Sequence, residues 1–181
     1  DHAIALAGRY SASITVLHVY QPIYMPVPAP AIAGVNSTNL FNPADVERLR
    51  EQVQAFVTAQ NPGDVTYDIL VDNGAPAARI VEQAAALQVS LIVMGTHGLS
   101  GFEHLMVGSV TEKVLRKAPC PVLTVPPRAE ATSKLPVKRL LCPVDFSDAS
   151  VSAARWAMRL AKQLGGTVTL VHVLEGPEED E

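Results

Sequence analysis

The sequence lacks the features that would place the protein in a membrane, outside the cell or on nucleic acid. No run of about 18 uninterrupted apolar residues occurs, so no membrane span is expected. No basic and apolar signal sequence opens the chain, and the only two cysteines, Cys120 and Cys142, are too far apart for a CxxC motif. The lysines and arginines are scattered and the formal charge is -4, so no basic stripe exists for nucleic acid. We therefore expect a cytoplasmic protein that binds neither membranes nor nucleic acid.

The chain does have an apolar composition and a regular alternation of strand-like and helix-like segments. Apolar residues make up 48% of the 181 residues, so a core can be buried. The length suits one ordinary domain and part of a second one. Short apolar runs rich in β-branched residues alternate with segments of helical periodicity, which predicts an α/β fold with parallel strands. The predicted strands are 14–19, 65–71, 91–94, 122–125, 139–144 and 168–173, and the predicted helices begin near residues 43, 76, 109 and 149.

The end of the chain repeats its beginning. A shift of 154 residues places His18 and Val19 on His172 and Val173, and residues 1–27 copy the stretch that starts at Arg155. Residues 137–154, the first strand and half of the first helix of the second unit, have no copy at the start of the chain. This pattern predicts a unit at 1–127 that lacks its own first strand, a linker at 128–136, and the first strand, helix and strand of a second unit at 137–181.

One glycine-bearing stretch combines residues suited to binding an anion. Gly95-Thr96-His97-Gly98 is followed by nine residues and then by Gly108-Ser109. The stretch starts where an apolar strand ends, which is where open α/β sheets bind ligands. Gly108-Ser109 lies at a predicted helix N-terminus, where free N–H groups and the helix dipole favour phosphate. We expect residues 109–111 to offer backbone N–H groups and two hydroxyls to phosphate oxygens.

A structural explanation exists for the same residues. Ser109-Val110-Thr111-Glu112 also fits a capping box, in which Ser109 serves only as the N-cap of the helix. The two roles are compatible, because a capping serine can still present its hydroxyl to a ligand.

The glycine-bearing stretch and several other segments resemble those of a known protein family. The spacing Gly-x2-Gly-x9-Gly-Ser is similar to the nucleotide-binding pattern of ATP-binding universal stress proteins. Further segments resemble other strands and loops of that family: 17–19, 92–98, 108–114, 120–125 and 141–147. The resemblance covers nearly the whole chain except the 21–43 loop, the linker and the acidic tail. It implies an open five-stranded parallel sheet with helices on both faces, the Rossmann-like fold of the adenine nucleotide alpha-hydrolases, in what resembles part of a tandem protein.

The resemblance also implies a set of nucleotide-binding residues but no catalytic residue and no protein metal ligand. Asp145 matches the aspartate that contacts adenine, and Val19 matches a residue that packs on the base. The other matching positions are Pro143 and Val144 beside the adenosine, Met94 and Gly95 on the ribose side, His97 and Gly98 in the loop, and Gly108, Ser109, Val110 and Thr111 at the phosphates and ribose. The implied ligand is ATP, or ADP or AMP, with Mg or Mn held through the phosphates.

The chain departs from the family in one respect, because the first unit has no aspartate on a first strand of its own. The only candidate is strand 139–144, and we hypothesise that it completes the sheet of residues 1–125, either in cis or from another copy. The linker of about ten residues could span roughly 33 Å if extended, so its length forbids neither arrangement.

The sequence favours a protein that holds nucleotide over one that turns it over quickly. The glycine-bearing stretch contains no lysine and no Walker A motif, and no carboxylate is placed to activate a water. We expect a stress-response switch or sensor. The alternatives are a slow ATPase or nucleotidyl-transfer enzyme of the same fold, and a dimeric scaffold that binds no nucleotide.

Two smaller expectations concern histidines and assembly. His18 and His172 are interpreted as buried, hydrogen-bonded residues, whereas a ligand contact by His97 is plausible. The short apolar strand 122–125, fenced by prolines, is typical of an edge strand that pairs with another chain. We therefore expect a homodimer, or a strand-swapped dimer, through residues 122–125.

Overall fold

The computed structural model describes residues 2–21, 43–96, 108–126 and 138–174. The chain divides into two compact units, residues 1–131 and residues 132–181. In chain order, unit 1 contains α1 (His2–Tyr10), β1 (Ile14–Tyr20), α2 (Pro43–Ala59), β2 (Tyr67–Asn73), α3 (Pro76–Ala86), β3 (Ile92–Gly95), α4 (Ser109–Lys117) and β4 (Val122–Val125). Unit 2 contains β5 (Arg139–Pro143), α5 (Asp148–Leu164) and β6 (Thr167–Val171).

All strand pairs that the structure describes are parallel, as the alternation of strands and helices predicts. In unit 1, β1 pairs with β2, from Ile14 opposite Tyr67 to Tyr20 opposite Asn73. The second pair of unit 1 joins β3 to β4. The α/β class with parallel strands is therefore confirmed.

Helices lie on both faces of the β1–β2 pair. Neighbouring residues of a strand point to opposite faces. Thr15 lines a cavity with residues of α3, whereas Val16 and His18 line a different cavity with residues of α2. The predicted two-sided covering of the strands is thus present in unit 1.

The β1–β2 and β3–β4 pairs of unit 1 are separate sheets in the hydrogen bonding of the described residues. They nevertheless approach one another, because residues of both β1 and β3 line one cavity of about 200 Å³ beneath α3. Open α/β sheets bind ligands at the carboxyl ends of parallel strands such as these.

Unit 2 is a single βαβ unit whose helix begins and ends with clear signals. Ser147 is the N-cap of α5 and accepts a hydrogen bond from the N–H of Ser150. Gly165 ends the helix in the left-handed conformation, with φ of 61°. Small residues Cys142, Ala154 and Ala157 form the buried core, so α5 lies close to the strands.

Some local details depart from the sequence pattern. On α2, the apolar residue Phe56 is 64% exposed, whereas its neighbour Val57 is only 6% exposed. Adjacent residues of a helix point about 100° apart. The buried face of α2 therefore includes Val57 but not Phe56. The strand expected at 65–71 lies at Tyr67–Asn73, because the Val65 N–H donates to the Pro62 carbonyl in a turn.

Among the helices that the structure describes, none combines the length and the apolar character needed to cross a membrane. The prediction about the domain boundaries, including completion of the first sheet by strand 139–144, stays a prediction.

Candidate functional site

The carboxyl end of β3 is tied directly to the start of α4. The Thr96 N–H donates to the Val125 carbonyl at 3.0 Å, and the Gly108 N–H donates to the Thr96 carbonyl at 2.7 Å. The buried Thr111 hydroxyl donates to the Gly95 carbonyl at 2.9 Å. These bonds bring Gly95 and Thr96 together with residues 108–111.

The N-terminus of α4 has no side-chain cap. Its N-cap residue is Gly108, and among the described residues no side chain accepts a hydrogen bond from the first turn. The capping-box interpretation is therefore wrong: Ser109 is the first helical residue and is exposed, and Glu112 pairs with Arg116 at 2.7 Å instead. By helix geometry the N–H groups of residues 109–111 have no acceptor within α4, so they and the helix dipole favour an anion.

The three residues at the start of α4 have different surroundings. Ser109 is exposed and Val110 is half-buried, whereas Thr111 is 3% exposed. Because the Thr111 hydroxyl already donates to Gly95, its remaining free polar group is the backbone N–H. The expected pair of ligand-facing hydroxyls reduces to the Ser109 hydroxyl in this structure.

Val19 lies on β1 and Met94 on β3, the two strands whose residues line the cavity beneath α3. Val19 is the sixth residue of β1 and lies opposite Asp72 of β2. Met94 lines the cavity beneath α3. His97 and Gly98 fall outside the residues that the structure describes, so their predicted ligand contacts stay predictions.

A charged network beside Val19 was missed by sequence reasoning. Asp72 Oδ2 accepts hydrogen bonds from Arg79 Nε at 2.9 Å, Arg79 Nη2 at 2.7 Å and Gln83 Nε2 at 2.8 Å. Burial raises the pKa of the Asp72 carboxyl, but the hydrogen bonds from Arg79 and Gln83 outweigh it, so the pKa lies below its ordinary value. Arg79 Nη1 also donates to Glu82 at 2.6 Å, so this cation is neutralised by carboxylates rather than held ready for phosphate.

The signal for this network was present in the sequence. Asp72 ends a strand, and Arg79 and Gln83 are four residues apart, so they share one face of the following helix. Neither the pairing nor its distances could be derived, because they depend on how α3 packs on β2.

In unit 2, Pro143, Val144 and Asp145 follow one another at the carboxyl end of β5. Asp145 Oδ1 accepts hydrogen bonds from the Ser147 hydroxyl at 2.6 Å and the Ser147 N–H at 3.0 Å. The Ser147 side chain and backbone lower the pKa of Asp145 to about 2, so this exposed carboxyl is an anion at neutral pH. It can therefore accept hydrogen bonds from an amine at its second oxygen.

The structure also describes the surroundings of His172 and Cys120. His172 is hydrogen-bonded, as expected, with Nδ1 2.7 Å from the Val144 carbonyl oxygen, but it is exposed rather than buried because it lies beyond the end of β6. Burial raises the pKa of the Cys120 thiol, which disfavours a reactive thiolate. Within the described ranges, no group of three or more His, Cys, Asp or Glu side chains could hold a metal ion.

The fold and these sites define the class of protein. Parallel strands, helices on both faces and an uncapped glycine–serine helix start at a strand end are features of α/β proteins with Rossmann-like ligand sites. The profile of the Universal stress protein family matches residues 1–126 and 136–181. The chain therefore belongs to the universal stress protein family.

Curated relatives agree with this assignment. A universal stress protein of Thermus aquaticus is 36% identical over 127 residues, which cover 68% of this chain and 84% of the relative. Universal stress protein YxiE of Bacillus subtilis is 33% identical over 131 residues, which cover 69% of this chain and 86% of the relative.

A solved structure extends the similarity to almost the whole chain. The crystal structure of a universal stress protein from Archaeoglobus fulgidus is 20% identical, with a TM-score of 0.67. The match covers 97% of this chain and 61% of that protein. At this identity the likeness concerns the fold, and it confirms the Rossmann-like α/β architecture.

Proposed function

We propose that this universal stress protein binds ATP, or ADP or AMP, and acts as a nucleotide-dependent switch or sensor in a stress response. The observation that carries the proposal is the uncapped start of α4, held against the end of β3 by the Thr111 hydroxyl. Phosphate oxygens would accept hydrogen bonds from the N–H groups of residues 109–111 and from the exposed Ser109 hydroxyl. The family resemblance further assigns nucleotide contacts to Val19, Met94 and Gly95 of unit 1 and, separately, to Pro143, Val144 and Asp145 of unit 2.

Adenine recognition is assigned to Asp145. Its carboxylate is charged at neutral pH and exposed, and the Ser147 hydroxyl and N–H both donate to the same oxygen, Oδ1. A carboxylate that accepts from an exocyclic amine distinguishes adenine from guanine, which carries a carbonyl at the corresponding position.

The proposed site suits a metal that is bound through the nucleotide. The start of α4 offers N–H and hydroxyl groups, which bind phosphate rather than a cation. Mg or Mn would be held by phosphate oxygens and water. The bound metal would offset phosphate charge, while residues 108–111 orient the phosphates.

The chemistry of the proposed site favours a protein that holds the nucleotide over one that hydrolyses it rapidly. The stretch from Gly95 to Thr111 contains no lysine or arginine. Arg79, the cation near Val19, is already paired with Asp72 and Glu82. Fast phosphoryl transfer requires positive charge at the phosphates and a positioned nucleophile.

Calorimetry with the full chain tests the proposal. Ser109→Ala should weaken ATP binding about tenfold, the effect of losing one hydrogen bond to a charged group, and leave adenosine binding unchanged. Ser152→Ala, which removes an exposed serine hydroxyl within α5, is the matched control and should bind ATP as the unmodified protein does.

Two other results would support the alternative functions. Zero heat with every adenine nucleotide would contradict the proposal and favour the scaffold. Steady phosphate release above about 1 per second, abolished by Ser109→Ala, would instead favour an enzyme.

A further inference from the structure

The turn that carries Asp145 has an unfavourable backbone conformation. Phe146 has φ of 66°, in the left-handed region that costs a bulky L-residue roughly 1–2 kcal/mol. Before it, the Val144 N–H donates to the Val171 carbonyl at 2.8 Å, and after it Ser147 caps α5. Since the aspartate stands between Val144 and Phe146, the conformation of these two residues decides where its carboxylate points.

His172 contacts both neighbours of Asp145. Its Nδ1 lies 2.7 Å from the Val144 carbonyl oxygen. A carbonyl only accepts, so Nδ1 carries the proton in this hydrogen bond. The imidazole ring lies against Phe146, with ring centroids 4.6 Å apart and ring planes at 50°. One side chain thus holds the backbone before the aspartate and the ring after it.

Core packing does not account for this arrangement. Phe146 is 74% exposed, and His172 is also exposed, so the contact buries little apolar surface. Both rings lie at the carboxyl ends of β5 and β6, the edge of a parallel sheet where ligands bind. A strained residue that is held by an exposed partner at such an edge indicates a functional constraint.

We propose that His172 is a positioning residue that orients Asp145 for the base, through its hydrogen bond to Val144 and its ring contact with Phe146. The inference rests on the proposed function, in which Asp145 recognises adenine. His172 itself need not touch the nucleotide. Its loss should free the turn, misalign the carboxylate and weaken recognition of the base, whereas the phosphate contacts of α4 are unaffected.

Two substitutions at His172 separate the two contacts. His172→Phe keeps a ring against Phe146 but removes the donor, and it should weaken ATP binding about tenfold. His172→Asn keeps a donor at nearly the place of Nδ1 and should recover a large part of the affinity. Thr169→Phe adds a ring at an exposed position of β6 and is the matched control, with no expected change.

The ratio of ATP to GTP affinity distinguishes positioning from a general loss of structure. A positioning role predicts that His172→Phe lowers this ratio, because only the contact with the base is disturbed. If both nucleotides lose affinity equally, or if neither does, the proposal is overturned.

A second measurement needs no nucleotide. In a carbon NMR titration of the free protein, the Asp145 carboxyl should titrate at about 2 in the unmodified chain, and the midpoint should move upward in His172→Phe as the turn that holds Asp145 against Ser147 is released. Phe146→Gly should also raise this midpoint without impairing folding, because glycine adopts a positive φ without strain. An unchanged midpoint in both variants refutes the positioning role. If the midpoint moves but no adenylate binds the unmodified protein, only the proposed function fails.

Discussion

At the scale of single residues, two aspartates at strand ends have different surroundings and different roles. Asp72 is fully engaged by Arg79, Gln83 and the Asn73 N–H, so it fixes α3 to β2. Asp145 uses one oxygen for Ser147 and lies exposed. Hydrogen bonds lower the pKa of both carboxyls, but Asp145 is exposed to a ligand, whereas the side chain of Asp72 is only 12% exposed.

The Asp72 network predicts a pH-dependent contribution to stability. Because the folded-state pKa of Asp72 lies below its ordinary value of 3.8, the contribution is present in full above that value. It is lost as the pH falls through the lower folded-state pKa. Asp72→Asn should therefore lower the urea midpoint at pH 7 and have a smaller effect at pH 3. An equal effect at both pH values would contradict this linkage.

Adjacent glycines at the end of α5 predict different costs of substitution. A Cβ on Gly166 would lie 2.8 Å from the Lys138 carbonyl oxygen, whereas one on Gly165 would meet only the flexible Lys138 amine at 3.6 Å. Gly165→Ala should cost about 1 kcal/mol, for its positive φ alone. Gly166→Ala requires the backbone to move and should cost about 2–3 kcal/mol in chemical denaturation. The reverse order of stabilities would refute this account.

At the scale of elements, the junction of β3 and α4 combines a structural bond with an open helix end. The Thr111 hydroxyl holds α4 against Gly95, while the first-turn N–H groups stay without a side-chain cap. The same short segment is thus rigid on its buried side and available on its exposed side.

Substituting each of the two hydroxyl residues at this junction should have a different effect. Thr111→Val removes the buried hydroxyl that donates to the Gly95 carbonyl and should lower the free energy of unfolding by about 1 kcal/mol. Ser109→Ala removes an exposed hydroxyl that caps nothing, so the melting temperature without ligand should stay within a degree or so of the unmodified protein. A large loss of stability in Ser109→Ala would show that its hydroxyl has a structural role.

At the scale of the whole molecule, β4 determines the predicted assembly. Ile92 donates to the Pro121 carbonyl and Thr96 to the Val125 carbonyl, so residues 121, 123 and 125 face β3. The N–H groups of residues 122 and 124 therefore point away from β3, toward the open edge of the strand.

This geometry gives a test of the predicted homodimer. Thr124→Pro removes an N–H that the β3–β4 ladder does not use, so it should abolish pairing between chains and preserve the fold. Thr124→Val retains the N–H and is the control. Light scattering at micromolar concentration should find a dimer for the unmodified chain and for Thr124→Val, and a monomer for Thr124→Pro. A monomeric unmodified protein would refute the predicted assembly.

The predicted completion of the first sheet by strand 139–144 can be tested through the repeat. Cys142 lies opposite Leu170 in unit 2, and Leu170 corresponds to Val16 in the repeat. If the strand exchanges its partner β6 for β1 in the same register, Val16→Cys should form a disulfide with Cys142 in a Cys120→Ser background. Ile14→Cys, two positions away, should not. A crosslinked dimer indicates exchange between copies, a crosslinked monomer indicates completion in cis, and no crosslink refutes both.

The sequence by itself determined the element types, the parallel α/β class and the family. Those properties depend on periodicity within a short window and on the fixed spacing from Gly95 to Ser109, which can be read without knowing what packs against what. The apolar run at residues 91–94 is a strand because a parallel sheet buries both of its faces.

Only the tertiary structure decided which polar groups find partners. The sequence suggested Ser109 as the N-cap of α4, but Gly108 occupies that position. The Thr111 hydroxyl donates to the carbonyl of Gly95, which lies sixteen residues away in the chain. The Asp72–Arg79 pair and the contacts of His172 with Val144 and Phe146 were likewise set by elements that meet only after folding. A hydrogen bond depends on a few tenths of an ångström between groups far apart in the chain, and no local pattern of residues encodes that distance.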